Sequence, residues 1–209
     1  KDAEGTIPKS LFEGIDITWN RVAGGAAIAP LVQALESSFD FKSPSKSIPQ
    51  LLRIHQSILA LPASDWKRIK LADCEKLIKD CLGLFVELRT NKFKASPGSE
   101  LLVTLEVINR SNTEVRLVSM EVTSNDNVFA LPSTLVYNQG YTKELTIQTP
   151  EQLSIPYWLI KHPEEGMYRV DEQKKRGTPA DPPSITAAVK IEINGTSITL
   201  QAPVIYKTV

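Results

Sequence analysis

The spacing of apolar residues changes once along this chain, between Leu88 and Lys94, and that change limits the possible folds more than any other feature. Upstream, apolar side chains recur every three or four residues, which gathers them on one face of a helix. Downstream they alternate with polar residues, which gathers them on one face of a strand. A chain that obeys first one period and then the other predicts two modules in series, one over residues 1–90 and one over 91–209.

In the first module, Gly5, Pro8 and Gly14 predict an irregular opening segment. Gly24-Gly25 then opens a helix through Ile28, Leu31, Val32, Leu35 and Phe39, with Pro30 tolerated near its start. Pro49 suits the first turn of a second helix whose apolar face carries Leu51, Leu52, Ile54, Ile58, Leu59 and Leu61, and Pro62 ends it. Ser64 or Asp65 caps a third helix predicted to run to about Arg89, with the seam Leu71, Cys74, Ile78, Cys81, Phe85 and Leu88. Amphipathic helices with no other local partner make a small three-helix connector the economical arrangement.

In the second module, Pro97-Gly98 marks a turn, and Leu101, Val103, Leu105 and Val107 alternate along a half-buried strand that ends at Asn109 to Asn112. Val115 and Leu117 keep one phase and Val118, Met120 and Val122 the other, so a β-bulge or a strand break is expected between them. Tyr141, Lys143, Leu145 and Ile147 form another alternating run. Asn194-Gly195 is the preferred pair for a two-residue type I′ turn. It predicts the pairs Ile193 with Thr196, Ile191 with Ile198, Val189 with Leu200 and Ala187 with Ala202, all apolar members on one face. Between Pro150 and Pro183 lies a long Pro-rich segment, expected to be an ordered loop with short strands near residues 155–159 and 167–170. The fold class is therefore α+β with segregated elements: a three-helix unit, then an immunoglobulin-like antiparallel β-sandwich without that fold's disulfide.

Composition removes several functions. Twenty-four basic residues balance 24 acidic ones, for a formal net charge of +0. Binding to nucleic acid draws on a basic excess, so no nucleic-acid partner is expected, and Lys174-Lys175-Arg176 reads as a solvated loop. No apolar run reaches the ~20 residues of a membrane helix. The chain opens on Lys1 and closes on the apolar run Pro203 to Val209, so it is read as a piece of something longer.

Chemistry-bearing residues are sparse. Cys74 and Cys81 share one helix face with α-carbons ~10 Å apart, beyond the ~7 Å reach of a disulfide, and are read as buried structural thiols. His55 reads as a solvent-facing or boundary residue of the second helix. His162-Pro163-Glu164-Glu165 is similar to the His-Pro-Asp-Asp zinc motif of one deacetylase class. Both carboxylates are a methylene longer, and a third ligand is lacking. Asn109-Arg110-Ser111 and Asn194-Gly195-Thr196 match the glycosylation pattern. No catalytic or metal-ligating residue is assigned, and no cofactor is expected in these residues. The candidates for an interface or glycan contact are Trp19 and Arg21, read as a cation–π pair or interdomain contact, and Tyr157 with Trp158. The latter two read as an aromatic platform or a loop anchor. Trp66, at a helix start, is read as a core or staple residue.

Phe12 to Val22 followed by Gly24-Gly25, then Ser47-Ile48-Pro49 with Leu51-Leu52, Trp66-Lys67 and Gly83-Leu84 resemble, in order, the segment after the catalytic domain of large bacterial PIG-L/LmbE-like deacetylases. The resemblance continues through Pro156 to Leu159, Gly166-Met167-Tyr168, Asp181-Pro182-Pro183 and Pro203 to Lys207. It implies an accessory region whose partner is its own N-terminal catalytic domain, with glycan as a further partner. Zinc and the hydrolysis of N-acetyl groups on sugars would belong to that domain. An exported location, periplasmic or extracellular, follows from the resemblance alone. Two other readings remain open: a stand-alone carbohydrate-binding or adhesion module, and an independent hydrolase around His162.

Overall fold

The computed structural model describes residues 12–122 and 127–208. Gly5 and Pro8 of the opening segment and Val209 of the final run lie outside them. The chain divides into two compact units, Lys1–Cys81 and Leu82–Val209.

The first unit holds three α-helices, α1 (Ile28–Ser38), α2 (Ile48–Leu59) and α3 (Asp65–Cys81). Ile48 and Pro49 start α2, where a missing N–H costs no helical hydrogen bond. Its buried stripe is Ile48, Leu51, Leu52, Ile54, His55 and Ile58, packed against α3 and α1. Leu59, predicted on that face, is 40% exposed. Ser64 caps α3, its hydroxyl accepting the Lys67 N–H at 3.1 Å. The Lys67 ammonium reaches back to the other helix end and donates to the carbonyls of Leu59 and Leu61, both at 2.7 Å.

The third helix stops eight residues short of the predicted Arg89. Gly83 adopts φ +57°, a left-handed conformation that ends a helix. Phe85 and Leu88, assigned to its seam, lie instead on the first strand.

The second unit is a seven-stranded mixed sheet: β1 (Phe85–Thr90), β2 (Glu100–Ile108), β3 (Val115–Val122), β4 (Asn127–Leu135), β5 (Gly140–Gln148), β6 (Thr186–Ile193) and β7 (Thr196–Tyr206). Their order is β4-β3-β6-β7-β1-β2-β5, and the two edge strands come near each other, so the sheet almost closes on itself. All ladders are antiparallel except β1 with β7, where Leu88 pairs in parallel with Val204; the wholly antiparallel sheet expected from sequence is thus corrected. The reason lies in β7, which pairs with β6 as far as Pro203 and then with β1.

Register follows the apolar alternation. Leu101, Val103, Leu105 and Val107 of β2 all point inward, as do Ala187, Val189, Ile191 and Ile193 of β6. The bulge in β3 falls between Leu117 and Ser119, in its ladders with both β4 and β6. The last hairpin has the four predicted pairs, with Asn194 at φ 49° and Gly195 at φ 75°, the positive values a type I′ turn requires. The short strands expected at residues 155–159 and 167–170 are absent. Tyr157–Leu159 forms a 3-10 turn, and Met167 makes a single bridge to Glu164. No helix among the described residues is long and apolar enough to cross a membrane.

Replacement by alanine of Ile191, fully buried on the interior strand β6, should cost about 2–5 kcal/mol. Gly195→Ala should cost about 1–2 kcal/mol through its left-handed backbone alone. Urea unfolding of the two variants measures both, and a Gly195→Ala protein of unchanged stability would contradict the turn geometry.

Candidate functional site

Between β5 and β6 the chain makes a long excursion whose side chains build an open cleft. Tyr157 is its anchor. The ring is 8% exposed, its N–H donates to Asp181 Oδ2 at 2.7 Å, and its hydroxyl donates to the Thr178 carbonyl at 2.8 Å. Pro156 and the Pro182-Pro183 pair fix the backbone on either side of this clasp. Trp158 stands edge-to-face against Tyr157, with ring centroids 4.9 Å apart and planes at 88°. The half-buried Trp158 ring therefore inherits the orientation of its buried neighbour.

The far wall comes from residues 164–171. Glu164 and Met167 exchange backbone hydrogen bonds at 3.2 and 2.8 Å. Gly166, at φ +74°, closes the turn between them. Arg169 reaches Glu164 at 2.6 Å, and Lys161 reaches Asp171 at 2.5 Å. The hydrogen bond and charge of Lys161 hold the Asp171 carboxyl below the usual carboxylate range. Arg176 donates from Nε to the Val170 carbonyl at 2.8 Å and from Nη1 to Gln173 Oε1 at 2.9 Å. The resulting cleft has a volume of about 590 Å³ and is lined by Trp158, Met167, Tyr168, Arg169, Asp171 and Arg176 together with Tyr157.

Of the two aromatic candidates here, Tyr157 is the anchor and Trp158 lines the cleft. Sequence reading missed Arg169, Asp171 and Arg176, and treated Arg176 as part of a solvated charge run. Asp181 was visible only as the head of Asp-Pro-Pro, where the proline behind it favours an extended backbone.

The other two candidates lie in the helical unit. Thr18, whose hydroxyl and N–H both donate to Asp16, starts the short 3-10 turn Trp19–Arg21. The Arg21 guanidinium lies 5.2 Å from the ring centre of Trp66 and the Lys70 ammonium 5.0 Å from it. The aromatic partner of Arg21 is therefore Trp66 and not Trp19. Gly25 is needed beside them, because a Cβ there would lie 2.4 Å from the Trp19 carbonyl oxygen. His55 is also corrected: it is 2% exposed, inside the broad buried stripe of α2, with Nε2 3.4 Å from Glu75.

The residues around His162 do not fit zinc. The His162 ring is exposed, with Nδ1 2.9 Å from the Pro163 carbonyl, and Glu164 is engaged by Arg169. No group of three His, Cys, Asp or Glu among the described residues could hold a metal ion. Asn109 of the first glycosylation match is 1% exposed, accepting the N–H and hydroxyl of Ser111 and donating to the Thr113 carbonyl. It serves a turn, as Asn194 does.

No family model matches this chain, and no curated protein matches it in sequence. Among solved structures it is similar to Spo0M, the sporulation control protein of Bacillus subtilis, at 12% identity and a TM-score of 0.26, covering 58% of this chain and 49% of that one. It is also similar to the Pseudomonas fluorescens alkylpurine DNA glycosylase AlkC bound to DNA containing an abasic site analog, at 9% identity and a TM-score of 0.23, covering 81% of this chain and 49% of that one. The chain thus spans about half the length of both structures, and likeness at this level carries neither fold nor function across.

Both cysteines are free. Burial, reinforced by Glu75, pushes the Cys74 thiol up to about 12, and burial with Asp80 raises Cys81. At pH 8 a thiol of that pKa is thiolate in only ~10⁻⁴ of molecules, so Cys74 should resist a thiol reagent until the helices unfold. Its modification in the native chain at the rate seen in denaturant would contradict the packing. Tyr157→Phe, which removes the hydrogen bond to Thr178, should destabilise the excursion by about 0.5–1.5 kcal/mol. Faster amide exchange over residues 157–181 would register the loss.

Proposed function

We propose that this chain is a non-catalytic accessory and interaction region of an exported, PIG-L-like zinc-dependent deacetylase acting on N-acetylated sugars or glycans. The chemistry at the metal would reside in an N-terminal catalytic domain, and the helices would dock on that domain. The observation that carries the reading is the convergence of the resembling segments. Pro156 to Leu159, Gly166 to Tyr168 and Asp181 to Pro183 stand apart in sequence, yet Asp181 clasps Tyr157, and Trp158, Met167 and Tyr168 share one cleft. In the helical unit, likewise, Arg21 meets Trp66 and Lys67 caps the end of α2. Several of the residues that carry the resemblance thus make specific contacts, as expected of a built interaction module.

The β unit enters this proposal as an immunoglobulin-like sandwich. In support, β7 changes partner at Pro203, so the strand order divides into β4-β3-β6-β7 on one side and β1-β2-β5 on the other, each with one buried face. The open aromatic cleft favours a second reading, a stand-alone carbohydrate-binding or adhesion module.

The size of the native protein separates the two. An immunoblot against this chain should give a band far above 23.1 kDa, with upstream peptides from a deacetylase domain in its mass spectrum. Deleting this region from the parent should lower its Tm or displace it from its target while leaving turnover at the metal intact. A native band near 23.1 kDa, or a deletion without effect on stability and targeting, would remove the accessory reading.

A further inference from the structure

We infer that the cleft of the β5–β6 excursion is a carbohydrate-binding site that seats one or two pyranose rings of an oligosaccharide against Trp158 and Tyr168, an inference that rests on the reading of this chain as a glycan-directed region. A pyranose has an apolar face of C–H groups and a rim of hydroxyls. Its complement is an exposed aromatic surface ringed by planar charged groups that take adjacent hydroxyls in pairs.

This cleft supplies both parts. Tyr168 and Met167 are 56% and 66% exposed, and Trp158 adds a half-buried indole. Arg169, Asp171 and Arg176 stand around them. Each polar group is oriented by a bond made elsewhere: Arg169 by Glu164, Asp171 by Lys161, Arg176 by Val170 and Gln173. Arg176 makes these bonds through Nε and Nη1 while its side chain lines the cleft. A volume of about 590 Å³ lies within the range of small-ligand sites.

The orientation of Trp158 is set before any ligand arrives. Trp158 is aligned by Tyr157, which is buried and clasped by Asp181 and Thr178, so little side-chain entropy remains to be lost on binding. The hollow among the helices, about 480 Å³, is lined chiefly by apolar side chains such as Leu35, Ile54 and Leu77.

The test is calorimetry and tryptophan fluorescence on the intact chain, titrated with tetramers of N-acetylglucosamine, of glucose in β-1,4 linkage, and of galacturonic acid. Saturable binding to at least one series is expected, with a shift in tryptophan emission. Tyr168→Ala and Arg169→Ala, both at exposed positions, should each weaken it at least about 10-fold, the scale of one lost stacking or charge-assisted contact. Phe41→Ala, at an 88% exposed position of the helical unit, should leave it unchanged. Absence of saturable binding to all three series, or binding that survives Tyr168→Ala and Arg169→Ala undiminished, overturns the inference. A parent that loses stability on deletion of this region, while the chain binds none of the three, would sink the cleft and leave the accessory role standing.

Discussion

Strand β7 serves two partners in succession, and the β unit hangs on that arrangement. From Thr196 to Pro203 it pairs with β6, and from Val204 to Tyr206 with β1. Proline has no N–H to give to a ladder. Pro203 sits opposite Thr186 at the last pair of the β6 register, one residue before the pairing with β1 begins at Val204. Beside this switch stands only a short link, the bridge of Asn109 with Tyr137, where the Asn138 N–H donates to the Asn109 carbonyl at 2.7 Å, so among the described residues the switch carries the main backbone connection of β1, β2 and β5 to β3, β4 and β6. Charge reinforces the new pairing: Arg89 is held between Glu87 and Glu106, and Lys207 reaches Glu87 at 3.1 Å, so β1, β2 and the end of β7 share one ionic cluster. The exposed edge is handled separately, with Pro132 interrupting β4 where another strand could add.

Where a pattern is local, the fold could be read directly. The Asn194-Gly195 hairpin was legible to the individual pair because turn chemistry and apolar alternation specify the same register. The β3 bulge was legible from a single phase slip after Leu117. The end of α3 was not. Cys81, Phe85 and Leu88 keep steps of three and four even though the last two lie on β1, so periodicity ran through the break and only Gly83 marked it. The parallel β1–β7 ladder joins residues more than a hundred positions apart and leaves no local trace. His55 was misplaced because the buried stripe of α2 is wide enough to take positions 51, 52, 54, 55 and 58 together.

The cleft was legible only in part, for a related reason. Tyr157 and Trp158 stood out as adjacent aromatics, but their division of labour depends on Asp181 and Thr178, which come from the far end of the excursion. Arg176 looked like one cation among three. Its two bonds to Val170 and Gln173 turn it toward the cleft, whereas Lys175 is drawn off by Glu172. Charge runs are solvated by default, and which member of a run is directed inward is a property of the loop that carries it.

Site and scaffold meet at the three residues Asp181-Pro182-Pro183. Asp181 clasps Tyr157 and so orients Trp158. Two positions later, Pro183 lines a hollow between the excursion and the sheet, together with Leu153, Leu101, Val204 and Tyr206. Val204 is where β7 takes up β1, and its N–H donates to the Ile185 carbonyl at 3.0 Å. The strand switch that joins the two halves of the sheet and the clasp that orders the cleft are therefore linked by one short, proline-stiffened segment. A long excursion without strands of its own would ordinarily sample many conformations. This one is tied at its first foot, Thr149 and Pro150, to the turn of Ser96 to Ser99 ahead of β2, and at its second, Ile185, to Val204 at the strand switch.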